Sequence, residues 1–464
     1  MARDLLHVVM FPWLAFGHMI PFFQLAIALA KAGIQVSFIS TPKNIQRLPS
    51  IPSELEPLLQ FVKFQLPFVD GLPRGAEATV DITMEENQFL KKSYDLLEIQ
   101  FKKFITCQPV DWIIQDFAAY WAAEIAEELS IPQIMFSVFS TAVLAFFGPP
   151  VSIGKTVKVH WTTPESLTMP PKWITFPSTV AFRQHEANAF FAQAFQTNES
   201  GIPDSDRGAK VLQASKALVV RSCKEYEGDY LNVAKKIYLQ PVIPIGLLPP
   251  LPQLKKSDNN EIESSAEVFK WLDHQKDKSV VYVGFGSEVK LDREQVYEIA
   301  IGLELANLPF LWALRKPMWA VNENDALPSG FRSRTAHLGM VLLGWAPQLD
   351  ILAHPSVGGS MFHSGWGSII ETLQHGHILV VLPLVIDQGL NARLLVEKGL
   401  AIEVEKSDDG TFNGEDIAKA LRKAMVNEES ESLRFRANEM RAVFSNQELH
   451  YEVYMSKFVQ YLKA

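Results

Sequence analysis

Residues 344–388 read GWAPQLDILAHPSVGGSMFHSGWGSIIETLQHGHILVVLPLVIDQ. VGGSMF (357–362) is short and apolar, the pattern of a strand buried on both faces. HSGWGS (363–368) turns tightly, IIETLQHG (369–376) has helical spacing with Gly376 as its C-cap, and ILVVLP (378–383) is β-rich and stopped by Pro383. Strand, glycine-rich turn, helix, strand is the unit from which open parallel αβ sheets are built. The turn leaves N–H groups at a helix N-terminus, a site that favours an anion. Ser368 adds a hydroxyl donor and His363 a ring donor. Glu371, one helical turn beyond Ser368 on the same face, suits a diol such as ribose. The same spacing also fits an ordinary αβ unit whose glycines only make the turn. The turn is not GxGxxG, and neither GxxxxGKS nor GxxxxGKT occurs in the chain.

Outward from this stretch the second half repeats the theme. SVVYVGFGS (279–287) is a strand running into Gly284, Gly286 and Ser287, small residues that let something approach the backbone. REQVYEIAIGLELANLPFLWALR (293–315) gives a helix and a strand, and ENDALPSGFRSRTAHLG (323–339) reads as loop. QGLNARLLVEKG (388–399), EDIAKALRKAMV (415–426), ESESLRFRANEMRAVF (429–444) and ELHYEVYMSKFVQYLK (448–463) have helical spacing. Upstream, LLPPLPQLKKSDNNEIESS (247–265) is proline-rich and then polar, a linker between two domains. A helix follows over 265–275.

The first half opens with the strand LHVVMF (6–11), the loop PWLAFGH (12–18), a helix with Pro21 in its first turn, and the strand IQVSFIS (34–40). This order implies a parallel sheet with a right-handed crossover. FVKFQL (61–66) is a strand, and MEENQFLKKSYDLLEIQFKKFI (84–105) is one amphipathic helix. WII (112–114) is a strand with Asp116 just beyond it and a helix from near Ala118. A strand and helix follow in IMFSVFSTAVLAFFGP (134–149). Aromatic-rich 150–200, with a helix over 185–195, suits the wall of an acceptor pocket. ALVVRSC (217–223) and PVIPIG (241–246) are the last strand-like runs of this half.

Two residues stand out there. His18 lies between a strand end and a helix start, where the positive end of the helix keeps an imidazole neutral, as a general base requires. Packing in the loop is the other reading. Asp116 sits at the C-terminal end of a strand, where αβ enzymes gather their chemistry. It can cap the following helix, pair with His18, or both.

Composition excludes several classes. The chain has 464 residues, 48% hydrophobic and 20% charged, with net charge −9. That is a globular chain of two or three domains with ample core. Its acidity argues against nucleic acid or anionic lipid as a partner. Cys107 and Cys223 are far apart and suggest thiols in a reducing compartment, not a disulfide framework. Residues 5–30 lack Asp, Glu, Lys and Arg, which mimics a signal or membrane anchor. Pro12, Gly17, His18 and Pro21 interrupt the run, so no stable membrane insertion is expected.

From Trp345 to Gln388 the chain carries W-x-P-Q, H-x-S-V-G-G, H-x-G-W-x-S-x-x-E and P-x-x-x-D-Q in order. This series resembles the donor-binding signature of plant UDP-sugar-dependent glycosyltransferases. The resemblance extends over essentially the whole chain and is nearest the subgroup that often extends the sugar of an existing glycoside. It implies an α/β fold of GT-B type: two Rossmann-like domains facing across a cleft, with a C-terminal helix crossing back to the first. The expected boundaries are 1–246 for the acceptor domain, 247–265 for the linker, 266–447 for the UDP-sugar domain and 448–464 for the returning helix. It implies His18 as catalytic base and Asp116 as its partner. Donor binding would fall to Ser287, Trp345, Ala346, Gln348, His363, Gly365, Trp366, Gly367, Ser368, Glu371, Asp387 and Gln388. Trp345 would stack on uracil, Gln348 contact uracil or ribose, and Asp387 and Gln388 bind the sugar.

The implied reaction is inverting transfer, glucose foremost, from a UDP-sugar to the sugar of a flavonoid or terpenoid glycoside, releasing UDP. Rhamnosyl transfer and direct glucosylation of an aglycone are the alternatives. No prosthetic group and no metal are expected, and the protein is expected to be a cytoplasmic monomer. Three positions depart from the family pattern. Gly367 replaces a common Asn and loses an amide contact to phosphate, Ser364 replaces Cys, and Gly-His-Ile at 376–378 lacks the usual proline. A carbohydrate-binding scaffold would need none of the His18, Asp116 and phosphate-site features, and a hydrolase or phosphorylase would show no UDP dependence.

Overall fold

The computed structural model describes residues 5–148, 161–250 and 261–464. The chain divides into two compact units: Met1–Pro177 with Asn188–Lys256 and Asn446–Ala464, and Ser178–Ala187 with Ser257–Ser445. The middle of the expected linker, 251–260, lies outside the described residues, as do Pro149 and the first part, 150–160, of the aromatic-rich stretch.

The first unit is built on a seven-stranded sheet of order β3-β2-β1-β4-β5-β6-β7, every pair parallel. Its strands are β1 His7–Phe11, β2 Gln35–Ser40, β3 Leu59–Lys63, β4 Trp112–Gln115, β5 Gln133–Ser137, β6 Ala217–Val220 and β7 Val242–Pro244. β1 is buried at all five positions, which explains why its sequence does not alternate. The helix Phe16–Lys31 covers one face with Phe22, Leu25, Ala26 and Leu29. Met455, Phe458, Val459 and Leu462 of the C-terminal helix Met455–Lys463 join the same core. Trp112 Nε1 donates to Leu462 O at 2.9 Å.

The second unit has a six-stranded sheet of order β10-β9-β8-β11-β12-β13, again all parallel. These strands are β8 Val280–Gly284, β9 Phe310–Leu314, β10 Gly339–Leu343, β11 Val357–Phe362, β12 Ile378–Val381 and β13 Ala401–Glu403. Each sheet therefore has the doubly wound, Rossmann-like order, in which the direction of winding reverses once.

Several expectations change. The stretch 84–105 is two helices, Asn87–Asp95 and Glu98–Thr106, interrupted at Leu96 and Leu97, and Asp95 at the end of the first pairs with Arg207. Pro21 is not in the first turn: the helix begins at Phe16, and the proline sits inside it. The helix before β8 starts at Glu261, and the run 323–339 contains the helix Phe331–Thr335. Helices Asp204–Ala214 and Lys224–Ile237 were not expected. Residues 178–187 belong to the second unit, although the sequence kept them in the first half.

Candidate active site

Strands β1 and β4 are neighbours, with Phe11 paired to Gln115, and the winding of the first sheet reverses between them. The chain beyond β1 enters a helix whose first turn carries His18, so the residue lies in the helix and not in the preceding loop. The chain beyond β4 delivers Asp116. His18 Nδ1 donates to Asp116 Oδ2 at 2.7 Å. An ionised carboxylate only accepts, so this bond puts the ring proton on Nδ1 and leaves Nε2 as the basic nitrogen of the neutral ring.

Asp116 is held from two further sides. Its Oδ2 accepts from Trp13 N at 3.1 Å and its Oδ1 from Phe117 N at 2.7 Å. It does not cap the next helix, which begins at Tyr120 with Ala119 as its N-cap. The Asp116 side chain is 3% exposed and that of His18 14%, so the carboxylate is sealed while the imidazole edge can still be reached. Phe117 and Phe139 flank the ring, each with its centroid 5.7 Å away.

The loop beneath is fixed by Tyr94, whose hydroxyl donates to Pro12 O at 3.3 Å. Burial, with the Asp116 and Asp95 charges, raises that hydroxyl well above the usual tyrosine range, so it stays a donor. Arg207, fully buried, makes a two-pronged pair with Asp95 at 2.7 and 2.6 Å and donates to Ala118 O at 3.1 Å. It thereby ties down the turn after Asp116. Sequence reading missed Arg207 because nothing local marks it.

The second sheet reverses between β8 and β11, where Val283 pairs with Met361. β8 runs out into Gly286 and Ser287, and β11 into His363. The His363 ring lies between two glycines. A Cβ on Gly286 would sit 2.9 Å from its Cε1, and one on Gly365 2.5 Å from its Nε2. Gly286 also has φ +70°, which favours glycine independently. His363 Nδ1 is buried without a hydrogen-bond partner among the described residues. Burial lowers this imidazole to about 4, so it is neutral at pH 7.

The helix after His363 begins at Trp366, three residues earlier than expected, with Gly365 as N-cap. Its first intrahelical bond runs from Ile369 N to Gly365 O, so the N–H groups of Gly367 and Ser368 lie ahead of it. The Trp366 indole is buried. Ser364, at φ +60°, donates through Oγ to Gln388 O at 2.8 Å and to its neighbour His363 O at 2.5 Å. Asn391 Nδ2 donates to Ser364 O at 3.2 Å and to Asp387 Oδ2 at 2.8 Å. The turn after β11 and the loop after β12 are thus one hydrogen-bonded body. Gln388 is buried, and its Oε1 accepts from Leu384 N at 2.9 Å and Val385 N at 3.0 Å, which fixes the direction of its amide.

One turn along, Gln348 Nε2 donates to Glu371 Oε2 at 2.6 Å, and Tyr282 OH donates to Gln348 Oε1 at 3.0 Å. Trp345 is 59% exposed, an indole face open to a planar ring, and Ala346 beside it is half-buried. Ser287 O accepts from Arg315 Nη1 at 2.9 Å. The candidates therefore gather as His18 with Asp116 in one unit. In the other, His363, Gly365, Trp366, Gly367, Ser368, Asp387 and Gln388 meet around one turn, with Gln348 and Glu371 beside them. Asn391 and Tyr282 were not foreseen. Asn391 was findable, four residues past Asp387 on a helix. Among the described residues no group of three or more His, Cys, Asp or Glu is arranged to hold a metal ion, and no helix is long and apolar enough to cross a membrane.

The model of a family described as UDP-glucoronosyl and UDP-glucosyl transferase matches residues 256–443. The chain is similar to UDP-glycosyltransferase 91C1 of Arabidopsis thaliana, 39% identical over all of this chain and 97% of that protein. It is 42% identical to soyasaponin III rhamnosyltransferase of Glycine max, over 99% of this chain and 95% of the relative. A solved UDP-glucosyltransferase from Polygonum tinctorium, in complex with 3,4-dichloroaniline, superposes with a TM-score of 0.77 at 24% identity, each chain covered in full. That likeness concerns the fold.

Proposed function

The chain belongs to the UDP-glucoronosyl and UDP-glucosyl transferase family as a plant UDP-glycosyltransferase, which moves a sugar from a UDP-sugar to an acceptor; from that premise we propose that the sugar is glucose, the acceptor the sugar of a flavonoid or terpenoid glycoside, and the outcome inversion at the anomeric carbon. The observation that carries the catalytic part is the 2.7 Å bond from His18 Nδ1 to a thrice-held Asp116.

His18 Nε2 takes the proton of the acceptor hydroxyl, and Asp116 stabilises the imidazolium that forms. The acceptor oxygen attacks the anomeric carbon as the bond to UDP breaks. Negative charge grows on the departing diphosphate. The N–H groups of Gly367 and Ser368, the neutral ring of His363 and the Ser287 hydroxyl receive it. Trp345 stacks on uracil, Gln348 meets the uracil or ribose, Glu371 accepts from the ribose hydroxyls, and Asp387 and Gln388 hold sugar hydroxyls. Gly365 and Ala346 serve by leaving room. The protein works as a monomer in the cytoplasm.

A second reading, transfer of rhamnose to a glycoside, is favoured by the 42% identity to a relative named as a soyasaponin III rhamnosyltransferase. One screen separates the readings. UDP-glucose, UDP-rhamnose, UDP-galactose and UDP-xylose are offered with aglycones and with their monoglucosides, and the products are resolved by NMR. The proposal expects UDP-glucose and a monoglucoside to give a β-linked disaccharide. An α-linked product from the α-linked UDP-glucose would overturn inversion, turnover only with UDP-rhamnose would establish the second reading, and preference for aglycones would overturn the glycoside acceptor.

A further inference from the structure

The segment Ser178–Ala187 is part of the second unit, and its contacts there converge on the helix Gln388–Glu397. Arg393 of that helix, with a side chain 10% exposed, donates from Nε to Ala181 O at 3.2 Å, from Nη1 to Glu403 and from Nη2 to Glu186. Arg183 adds a second contact to Glu403 at 3.1 Å. At the far end of the helix, Glu397 accepts from Thr179 N at 2.7 Å. The segment is therefore strapped along the whole helix by charge-assisted bonds, which are short and directional.

The strap reaches its closest approach beside Gln388. A Cβ on Gly389 would lie 2.5 Å from Glu186 Oε2 and 2.6 Å from Arg393 Nη2. Only glycine at 389 lets the carboxylate sit against the helix's first turn. The same Oε2 accepts from Arg183 N at 2.9 Å, while Oε1 is buried without a hydrogen-bond partner among the described residues. A buried carboxylate oxygen left without a protein partner is costly, so the contact is held by Oε2 alone. The loop ahead of Gln388 is held too, by Lys406 Nζ donating to Pro383 O.

We infer that Glu186 is a positioning residue for the donor sugar: through Arg393 and Gly389 it fixes the first turn of the Gln388 helix, and with it the Asp387 carboxylate and the Gln388 amide, so that sugars differing in one hydroxyl are told apart. This rests on the reading that Asp387 and Gln388 bind sugar hydroxyls. Epimers differ by the placing of one oxygen, and a binding group discriminates them only if its own position is defined. The uracil and ribose groups at Trp345, Gln348 and Glu371 stand on other elements than the strap and the helix it holds, so nucleotide affinity is expected to stay as it is.

The test uses the full chain with Glu186→Ala, Glu186→Gln, Gly389→Ala and Glu186→Ala/Gly389→Ala, beside Asp387→Ala and Gln388→Ala. kcat and KM are measured with UDP-glucose, UDP-galactose and UDP-rhamnose, UDP Kd by calorimetry and Tm by scanning. Glu186→Ala and Gly389→Ala should each raise the KM of the preferred donor about fivefold. Both should narrow the kcat/KM ratio of best to second-best donor by a similar factor, with UDP Kd within about twofold of wild type. The double variant should match Glu186→Ala alone, because both changes act on one contact. Glu186→Gln, which keeps the shape and serves in place of the alanine variant should that one fail to fold, should fall between. Unaltered ratios in folded Glu186 and Gly389 variants, while Asp387→Ala or Gln388→Ala shifts them, would overturn the clamp and leave the sugar-binding reading standing. Unaltered ratios in Asp387→Ala and Gln388→Ala would overturn that reading and the inference with it.

Discussion

The two sheets wind alike, each reversing once, and each presents a histidine at its reversal point. What surrounds the rings differs. His18 has a carboxylate on Nδ1 at 2.7 Å and aromatic rings at its flanks. His363 lies between Gly286 and Gly365 with Nδ1 unpartnered among the described residues. A carboxylate supports a ring that must take on a proton, whereas burial between glycines keeps a ring neutral and a helix N-terminus close by. One topology thus yields a proton acceptor in one unit and an anion cradle in the other. The strand ends decide which, and the sheets only bring them together.

If that division holds, each histidine should fail in its own way. His18→Ala should lower kcat roughly 10²–10⁴-fold and leave UDP Kd unchanged by calorimetry. Weakened UDP binding in that variant would break the division. Asp116→Asn should follow with a loss of roughly 10²-fold or more, since the amide cannot stabilise the imidazolium. Equal activity of Asp116→Asn and wild type would reduce Asp116 to a loop brace. His363→Ala should weaken UDP about tenfold, the loss of one hydrogen bond to a charged group. Unchanged UDP Kd there would take the glycine-rich turn out of the donor site.

Much of this was legible because it is local. Short apolar runs ending at Gly, His or Asp mark β4, β8 and β11, an apolar run before a proline and a Gly-His pair marks β1, and the spacing from Trp345 to Gln388 holds most of one site. What was hidden depends on partners distant in sequence. Gly286 matters because it meets His363, and Glu186 because it meets Gly389 and Arg393. The break between Asp95 and Glu98 interrupts an unbroken amphipathic pattern, and Arg207, the partner of Asp95, comes more than a hundred residues later. The strap at 178–187 was hidden for the same reason: its charges find their partners after more than a hundred further residues of chain.

The neutral ring also has a pH signature. Folded, His363 binds its proton with a pKa near 4, against 6.5 for an ordinary histidine. Unfolding takes up a proton between those values. The stability it contributes is whole above pH 6.5 and is lost as pH falls toward 4, by at most about 3 kcal/mol. His375 and His377 shift in the same direction by burial. Urea melts at pH 7.5 and 5 should show wild type losing more stability than His363→Gln. Equal losses would mean that the ring is not sealed between its glycines.

The smallest effect sharpens the comparison most, because it adds a group to one site without removing any. Gly367 keeps an ordinary helical backbone as the second residue of the helix Trp366–Leu373, so a side chain there meets no left-handed strain. Its N–H lies ahead of the first intrahelical bond, and the proposed function gives it to the diphosphate. Gly367→Asn would extend an amide donor from the same place. One added hydrogen bond is worth about 1 kcal/mol, so UDP Kd should tighten roughly fivefold. At saturating donor and acceptor, kcat should stay within about twofold, because His18 and Asp116 belong to the other unit and are untouched. Looser UDP binding would mean that the first turn is already filled by its own backbone and that the phosphates sit elsewhere. Tighter binding with a collapse in kcat would mean that the cradle holds UDP too well to release it, and the two histidine sites would then be coupled through product release.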